Sequence, residues 1–239
     1  EFPIDKNDFT FMKDGKKVEF DSVFNIIHGT PGEDGKLSAY FELLGIDCNS
    51  SGVLNSSLTF NKNWCNRFLS TYGVKVPQSL VFFKGEDNSQ LYKAVTYPCF
   101  VKPNNGGSSI GTHKVNSEEE LNSALTDAFV HDTEVIVEEF IAGREFSCGI
   151  FRTKEGIEVM PATEIIIDAE FFDFQQKYSA DGATEITPAD LPEDKMKECQ
   201  NIVEKVFHLL RLKKVARIDF ILKGDTFYLI EVNTIPGMS

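Results

Sequence analysis

The sequence predicts an α/β fold, and three stretches carry that prediction. Apolar alternation over Val18–Ile27 reads as a strand ending at His28-Gly29. The turn-rich Thr30-Pro31-Gly32-Glu33-Asp34-Gly35 follows, and Leu37, Tyr40, Phe41 and Leu44 then recur at helical spacing. A strand, a glycine-rich turn and a helix in that order form a fragment of an α/β layer. A glycine-rich stretch at 104–111 interrupts two β-like segments, and a long helix near the end of the chain leads into a hairpin.

Each element has its own justification. Gly45 is placed to stop the first helix. A second amphipathic helix is expected over Asn61–Tyr72, with Trp64, Cys65, Phe68 and Tyr72 on one face. Short strands are expected at Ser79–Phe83, Cys99–Lys102 and Thr112–Val115. Ser117-Glu118-Glu119-Glu120 is a capping box that opens a helix to about Phe129, and Glu134–Glu139 is a further strand. From Glu145 the pattern turns to hairpins: Phe146–Arg152 and Ile157–Ile167 alternate around a Lys-Glu-Gly turn. The polar, aromatic-dotted Asp168–Pro192 is too long for an idle connection and reads as a functional loop. A helix from about Glu193 to Leu212 precedes the final hairpin, Val215–Leu222 with Phe227–Val232.

Composition narrows the function. Twenty-four Lys and Arg against thirty-seven Asp and Glu give a net charge of −13, which repels phosphate backbones and argues against a nucleic-acid partner. No apolar run reaches the roughly 18–20 residues of a membrane span. The five cysteines (48, 65, 99, 148, 199) are scattered without a C-x-x-C pair and read as reduced thiols of a cytoplasmic protein. The opening Glu1-Phe2-Pro3-Ile4-Asp5 is neither a signal peptide nor an initiator methionine, and is expected to be a truncated start.

Three groups of residues and one histidine could carry chemistry. Gly106, Gly107 and Gly111 with Ser108 and Ser109 would let backbone N–H groups wrap a phosphate. A strand rather than a helix follows, so the loop is neither a Walker A loop nor a dinucleotide fingerprint. It suits a flap over nucleotide phosphates, with Lys102 supplying charge; an ordinary surface hairpin is the other reading. In the final hairpin, Arg217, Asp219 and Ile221 share a face, as do Phe227, Leu229, Glu231 and Asn233 on the return strand. A three-residue loop, Lys223-Gly224-Asp225, would pair Leu222 with Thr226 and set Arg217 opposite Glu231, with Asp219 nearby on the same face. A loop of two or four residues would separate the carboxylates unless a bulge intervened. Two carboxylates and an Asn carbonyl suit Mg²⁺, while a solvent-facing Arg–carboxylate pair is the plainer alternative. Glu138, Glu139 and Glu145 lie where two lobes would join and could bind adenine and ribose, or could simply be solvated strand ends. His28 is either a substrate-orienting group or a structural histidine.

Together these blocks resemble the ATP-grasp superfamily and, within it, the D-alanine–D-alanine ligase family. The matching blocks are His-Gly-Thr-Pro-Gly-Glu-Asp-Gly at 28–35, Phe-Val-Lys-Pro at 100–103 and Gly-Gly-Ser-Ser-Ile-Gly at 106–111. Val-Glu-Glu-Phe-Ile-x-Gly-Arg-Glu at 137–145 and Lys177-Tyr178 with Thr187-Pro188-Ala189 follow. Ala-Arg-Ile-Asp-Phe at 216–220 and Glu-Val-Asn-Thr-x-Pro-Gly-Met at 231–238 complete the series, in family order.

The resemblance implies an ATP-grasp fold in which central and C-terminal lobes sandwich ATP, beside the remnant of an N-terminal α/β substrate lobe. The expected lobes are 1–58, 59–140 and 141–239. It further implies ligation of two D-alanines through an acyl phosphate for peptidoglycan synthesis, in a cytoplasmic homodimer. By matching position, Lys62 and Lys102 would contact ATP phosphates beneath the flap that contains Ser109. Glu138 and the backbone near Ile141 would hold adenine, and Glu145 the ribose. Asp219, Glu231 and Asn233 would bind two Mg²⁺ or Mn²⁺ ions. Arg217 and the Gly237 backbone would stabilise the tetrahedral intermediate, and His28 would orient the first D-alanine. Ser108 would tie the flap to Tyr178, and a tyrosine there resembles the dipeptide-forming type rather than the D-lactate type. The family's glutamate for the first D-alanine's ammonium and its serine for the second substrate have no match here. The expectation is therefore an intact nucleotide site, a partial amino-acid site and weak or absent activity. A D-alanine–D-lactate ligase and a nucleotide-binding module without ligase activity are the competing readings.

Overall fold

The computed structural model describes residues 2–107, 109–166 and 184–237. It opens with a hairpin, β1 (Phe11–Lys13) with β2 (Lys16–Val18), then the short β3 (Ser22–Val23) and helix α1 (Lys36–Leu44). Strand β4 (Asp47–Cys48) pairs with β3 in parallel, and helices α2 (Val53–Phe60) and α3 (Lys62–Thr71) follow. Helix α1 stops at Gly45 as expected, in a left-handed conformation (φ 69°) whose N–H reaches back to the carbonyls of Phe41 and Glu42.

Two expectations fail in this part. Of the expected Val18–Ile27 strand, Val18 ends β2 and beyond it only Ser22–Val23 is strand, because among the described residues only the two-residue β4 lies beside that part. Beyond Val23 the backbone pairs instead with a side chain. Asn25 N donates to Asn49 Oδ1 (2.6 Å) and Asn49 Nδ2 to the Asn25 carbonyl (2.9 Å), while Phe24, Ile26 and Ile27 stay exposed. Helix α3 forms where expected but buries a different face. Trp64 and Tyr72 are exposed, and Lys62, Cys65, Asn66 and Leu69 are buried. Two of those four are polar because that face looks onto the site as well as the core.

The next sheet is built from β5 (Ser79–Phe83), β6 (Cys99–Pro103), β7 (His113–Val115) and β8 (Glu134–Glu139), with the short α4 (Ser89–Tyr92) and α5 (Glu118–His131) between them. Its order is β5-β8-β6-β7 and every pairing is antiparallel. Ser117 caps α5 by accepting the Glu120 N–H (3.4 Å). Leu121, Leu125 and Ala128 of α5 cover Val101, Val115, Val135 and Val137 on one sheet face.

The larger sheet contains β9 (Arg144–Arg152), β10 (Ile157–Val159), β11 (Thr163–Ile166) and β12 (Thr184–Ile186). Helix α6 (Glu193–Leu209) leads to β13 (Val215–Lys223) and β14 (Thr226–Asn233). Its order is β12-β11-β9-β13-β14, with β10 also on β9. The strand expected over Ile157–Ile167 is split at Met160-Pro161-Ala162, where the register moves by one residue: Val159 faces Ile150 and Thr163 faces Ser147. Proline has no N–H to give the ladder. Alternation along β9 and β13 sends Phe146, Cys148, Ile150, Ala216, Ile218 and Phe220 into a core closed by α6. Cys65 and Leu69 of α3 join that same core. The opposite face of the sheet is left for the site.

Candidate functional site

The two large sheets form opposite walls of one cleft of about 490 Å³, a volume suited to a cofactor-sized molecule. The strand period decides what reaches it. On β6, Cys99 and Val101 enter the core while Phe100 and Lys102 line the cleft; on β9 and β13, Glu145, Asp219 and Ile221 line the facing wall. Ile141 and Gly143 form the link between the walls. Lys114 of β7 lies 4.2 Å above the Phe140 ring, and Phe100 packs 5.8 Å from it, giving one aromatic-cationic end.

Behind Lys102 lies Glu138. Their 2.7 Å ion pair runs diagonally across β6 and β8, and Asn66 Nδ2 donates to the same carboxylate (3.2 Å). Glu138 is thus a buried counter-ion to a cleft-lining lysine. Lys62 pairs with Glu231 (3.1 Å) and also donates to the Gly106 carbonyl, joining the glycine loop to the final hairpin.

The final hairpin differs in register from expectation. Its loop is the two-residue Gly224-Asp225, so Lys223 pairs with Thr226 and Leu222 with Phe227 rather than with Thr226. Such a loop alone would part the carboxylates. A bulge at Ile230 reunites them: Phe220 faces Leu229, but Asp219 faces Glu231 and Arg217 faces Asn233 rather than Glu231. Phe227 and Leu229 therefore lie on the core face, while Ile230 and Glu231 both line the cleft. They do not share one face with Glu231 and Asn233.

Two carboxylates directly opposite each other repel unless compensated. Arg217 grips both oxygens of Asp219 (2.9 and 3.0 Å), Asn233 Nδ2 donates to Asp219 Oδ2 (2.8 Å), and Lys62 holds Glu231. The hard oxygens of Asp219, Glu231 and Asn233 fit a divalent cation such as Mg²⁺, which needs few protein ligands. Burial pushes the Cys65 thiol up to about 12 and that of Cys99 to about 11, and neither side chain lines the cleft.

The glycine loop is a β6–β7 hairpin, and Gly106, Gly107 and Ser109 line the cleft. Ser108 and Tyr178 lie outside the described residues, as does most of the expected Asp168–Pro192 loop. His28 is exposed in the turn before α1. Gly237 is exposed after the buried Ile235.

Several residues escaped the sequence reading. Glu33 is buried beside Gly107, and its Oε2 accepts the Gly29 N–H at 2.6 Å. Burial pushes its carboxyl above the usual range, and nearby Glu231 adds to this against the Gly29 N–H, His28 and Lys62. A carboxylate inside a turn with Gly29, Gly32 and Gly35 was the available signal. Asn66, four residues after the expected Lys62 on the same helix, was missed as well, and that spacing was its signal. The bidentate Arg144–Glu164 pair (2.6 and 2.7 Å) beside the cleft needed the fold to be seen, since twenty residues separate its members.

Residues 68–239 match the family model described as D-ala D-ala ligase C-terminus. The chain is 42% identical over 240 residues to a D-alanine–D-alanine ligase of Phocaeicola vulgatus, covering 99% of this chain and 74% of that protein. It is 43% identical over 241 residues to the Flavobacterium johnsoniae protein of the same name, covering 100% and 74%. Among solved structures it resembles the VanG D-Ala:D-Ser ligase of Enterococcus faecalis, with TM-score 0.86, 33% identity and coverage of 98% and 69%. It also resembles a D-alanine–D-alanine ligase of Bacillus anthracis complexed with ATP, with TM-score 0.79, 31% identity and coverage of 92% and 69%.

Proposed function

Because the chain belongs to the D-alanine–D-alanine ligase family, with its ATP-grasp fold, we propose that its protein joins two D-alanines at the expense of ATP for peptidoglycan synthesis. The observation that carries this reading is the Asp219–Glu231 pair, flanked by Arg217 and Asn233 and facing a cleft walled by two separate sheets. In the first step a carboxylate oxygen of one D-alanine attacks the γ-phosphorus of ATP and ADP leaves. In the second, the unprotonated amine of another D-alanine attacks the acyl carbon and phosphate leaves.

Phosphoryl transfer of this kind is mostly positioning and charge neutralisation. Lys62 and Lys102 neutralise the phosphates, and Glu138 keeps Lys102 aimed into the cleft. Asp219, Glu231 and Asn233 would hold two Mg²⁺ or Mn²⁺ ions, which would neutralise charge on the transferring group. Ile141 and the Phe100–Phe140–Lys114 end receive the base, and Glu145 the ribose. Arg217 and the Gly237 backbone stabilise the oxyanion of the second step, and His28 orients the first D-alanine. Gly106, Gly107 and Ser109 cover the phosphates, and Ser108 with Tyr178 would tie that cover to the long loop, keeping the acyl phosphate from water. We read the intact protein as a cytoplasmic homodimer of three-lobed subunits.

The test is phosphate release from Mg-ATP by the intact protein carrying this chain, with D-alanine alone and with D-lactate or D-serine as second substrate. D-Serine belongs there because a D-Ala:D-Ser ligase is among the similar structures. D-alanine alone is expected to stimulate release and yield the dipeptide. ATP binding without substrate-dependent release would replace this reading with a nucleotide-binding module.

A further inference from the structure

The turn that precedes α1 is held more tightly than its loop sequence requires. Glu33 N donates to the Gly29 carbonyl (2.8 Å) and Gly29 N returns the bond to Glu33 Oε2 (2.6 Å), closing a ring around the residue after His28. The ring is anchored on both sides. Asn25 Nδ2 donates to the Gly32 carbonyl (3.0 Å), and Ser57 Oγ of α2 donates to the Asp34 carbonyl (2.8 Å). The same Glu33 oxygen lies 3.7 Å from where a Cβ on Gly107 would sit, so the carboxylate also lies against the glycine loop. Glu33 is 9% exposed and shares a small space with Thr59, Gly106, Gly107, Glu231 and Asn233.

A buried carboxylate costs free energy unless it is well bonded. Burial with one short N–H bond therefore indicates that its position matters. We infer that Glu33 is a positioning residue for the ligation reaction: it fixes the His28 turn through Gly29 and seats the glycine loop at Gly107, so that the substrate-orienting histidine and the phosphate cover are held in one register. This rests on the function proposed above. Displacing a reactive group by about 1 Å can cost 10²-fold in rate, so a residue that touches no substrate has leverage of this size.

The test compares Glu33→Ala, Glu33→Gln and the parent by steady-state kinetics and by amide hydrogen exchange with Mg-ATP present. Glu33→Ala is expected to lower kcat/KM for D-alanine by about 10–100-fold. Nucleotide affinity should change by less than about threefold, because Lys102 and the base end of the cleft are untouched. Exchange at Gly29, Gly106 and Gly107 should rise about tenfold, and that of β6 and β8 should not change. Glu33→Gln keeps an oxygen for the Gly29 N–H and should restore both readouts. Should Glu33→Ala not fold, Glu33→Asp, one methylene shorter, is expected to fold and to lose protection at Gly29. Unchanged exchange at Gly29 and the loop in these variants would overturn the inference. So would a Gln variant as impaired as the Ala variant. If the parent shows no D-alanine-dependent turnover, the proposed function fails, and the exchange data alone still decide the role of Glu33.

Discussion

Breaking the Lys102–Glu138 pair from either side should have unequal effects. Both side chains are nearly out of solvent, at 11% and 4% exposure, and their charged atoms are 2.7 Å apart. Removing one member of such a pair typically costs about 3–5 kcal/mol, because the other is left buried and uncompensated. At about 2–4 °C per kcal/mol for a domain of this size, that is a fall in Tm of about 6–20 °C. The two partners are not equivalent, however. Lys102 lines the cleft, so in Glu138→Leu its ammonium can extend towards water, and the loss should fall near the lower end. Glu138 is 4% exposed on the same sheet face, and among the described residues the Asn66 amide would remain as its side-chain donor, so Lys102→Met should fall near the upper end. The double variant Lys102→Met/Glu138→Leu removes both charges and should melt within a few degrees of the parent, since apolar replacement of a buried pair is often neutral. Thermal unfolding followed by circular dichroism reads all four proteins, and nucleotide titration should show weakened ATP binding wherever Lys102 is absent. Equal losses in the two single variants, or a double variant as unstable as their sum, would refute this account of the wall.

Other perturbations test the remaining walls. Asp219→Asn keeps the shape but removes a charge from the carboxylate row; Mn²⁺ binding should weaken by about tenfold or more and phosphate release by about 10²-fold, as chelation of the metal should also do. Gly143→Ala would place a Cβ 2.3 Å from the Leu222 carbonyl oxygen and 2.7 Å from Ile221 Cγ2, so the link between the walls must shift. A loss of about 1–3 kcal/mol with weaker nucleotide binding is expected, and a variant indistinguishable from the parent in both would show that the approach is not tight. Arg144's hydrogen bonds hold the Glu164 carboxyl below its ordinary 4.5, so this stabilisation is present above about pH 4.5 and is lost as pH falls through the lower folded value. Because Arg144 is 45% exposed, solvent screening limits it to about 1 kcal/mol. The Tm gap between parent and Glu164→Gln should therefore be a few degrees at neutral pH and close in acid; a gap that widens in acid would reverse the sign of the argument.

Much of the chemistry was legible because it rests on local rules. Helix α1 ends at Gly45, Ser117 caps α5, and β6 and β7 flank a glycine loop, each set by a few adjacent residues. The structure does bring Asp219, Glu231 and Asn233 together, but alternation along the return strand and the pairing across the hairpin were both misread. Turn length is a weak determinant when a bulge can absorb one residue, and Ile230 does so here. Helix α3 shows the complementary failure. Its aromatic residues form the obvious stripe, yet the buried face carries Lys62 and Asn66, because a helix bordering a site is amphipathic towards two different neighbours.

By itself the sequence determined the family, the α/β class and the main elements from α3 to the final hairpin, since motifs and periodicity are carried by residues near one another in the chain; it did not show the opening β1–β2 hairpin, α2, α4 or β12. Only the tertiary structure decided that Glu138 lies behind Lys102, that Asp219 faces Glu231, and that Glu33 lies against Gly107. Those pairings join residues from separate elements, and each is fixed by how two independently packed sheets and the α1 turn come together around one cleft. Side-chain periodicity states which way a residue points along its own strand or helix; what it then meets is settled by packing between elements.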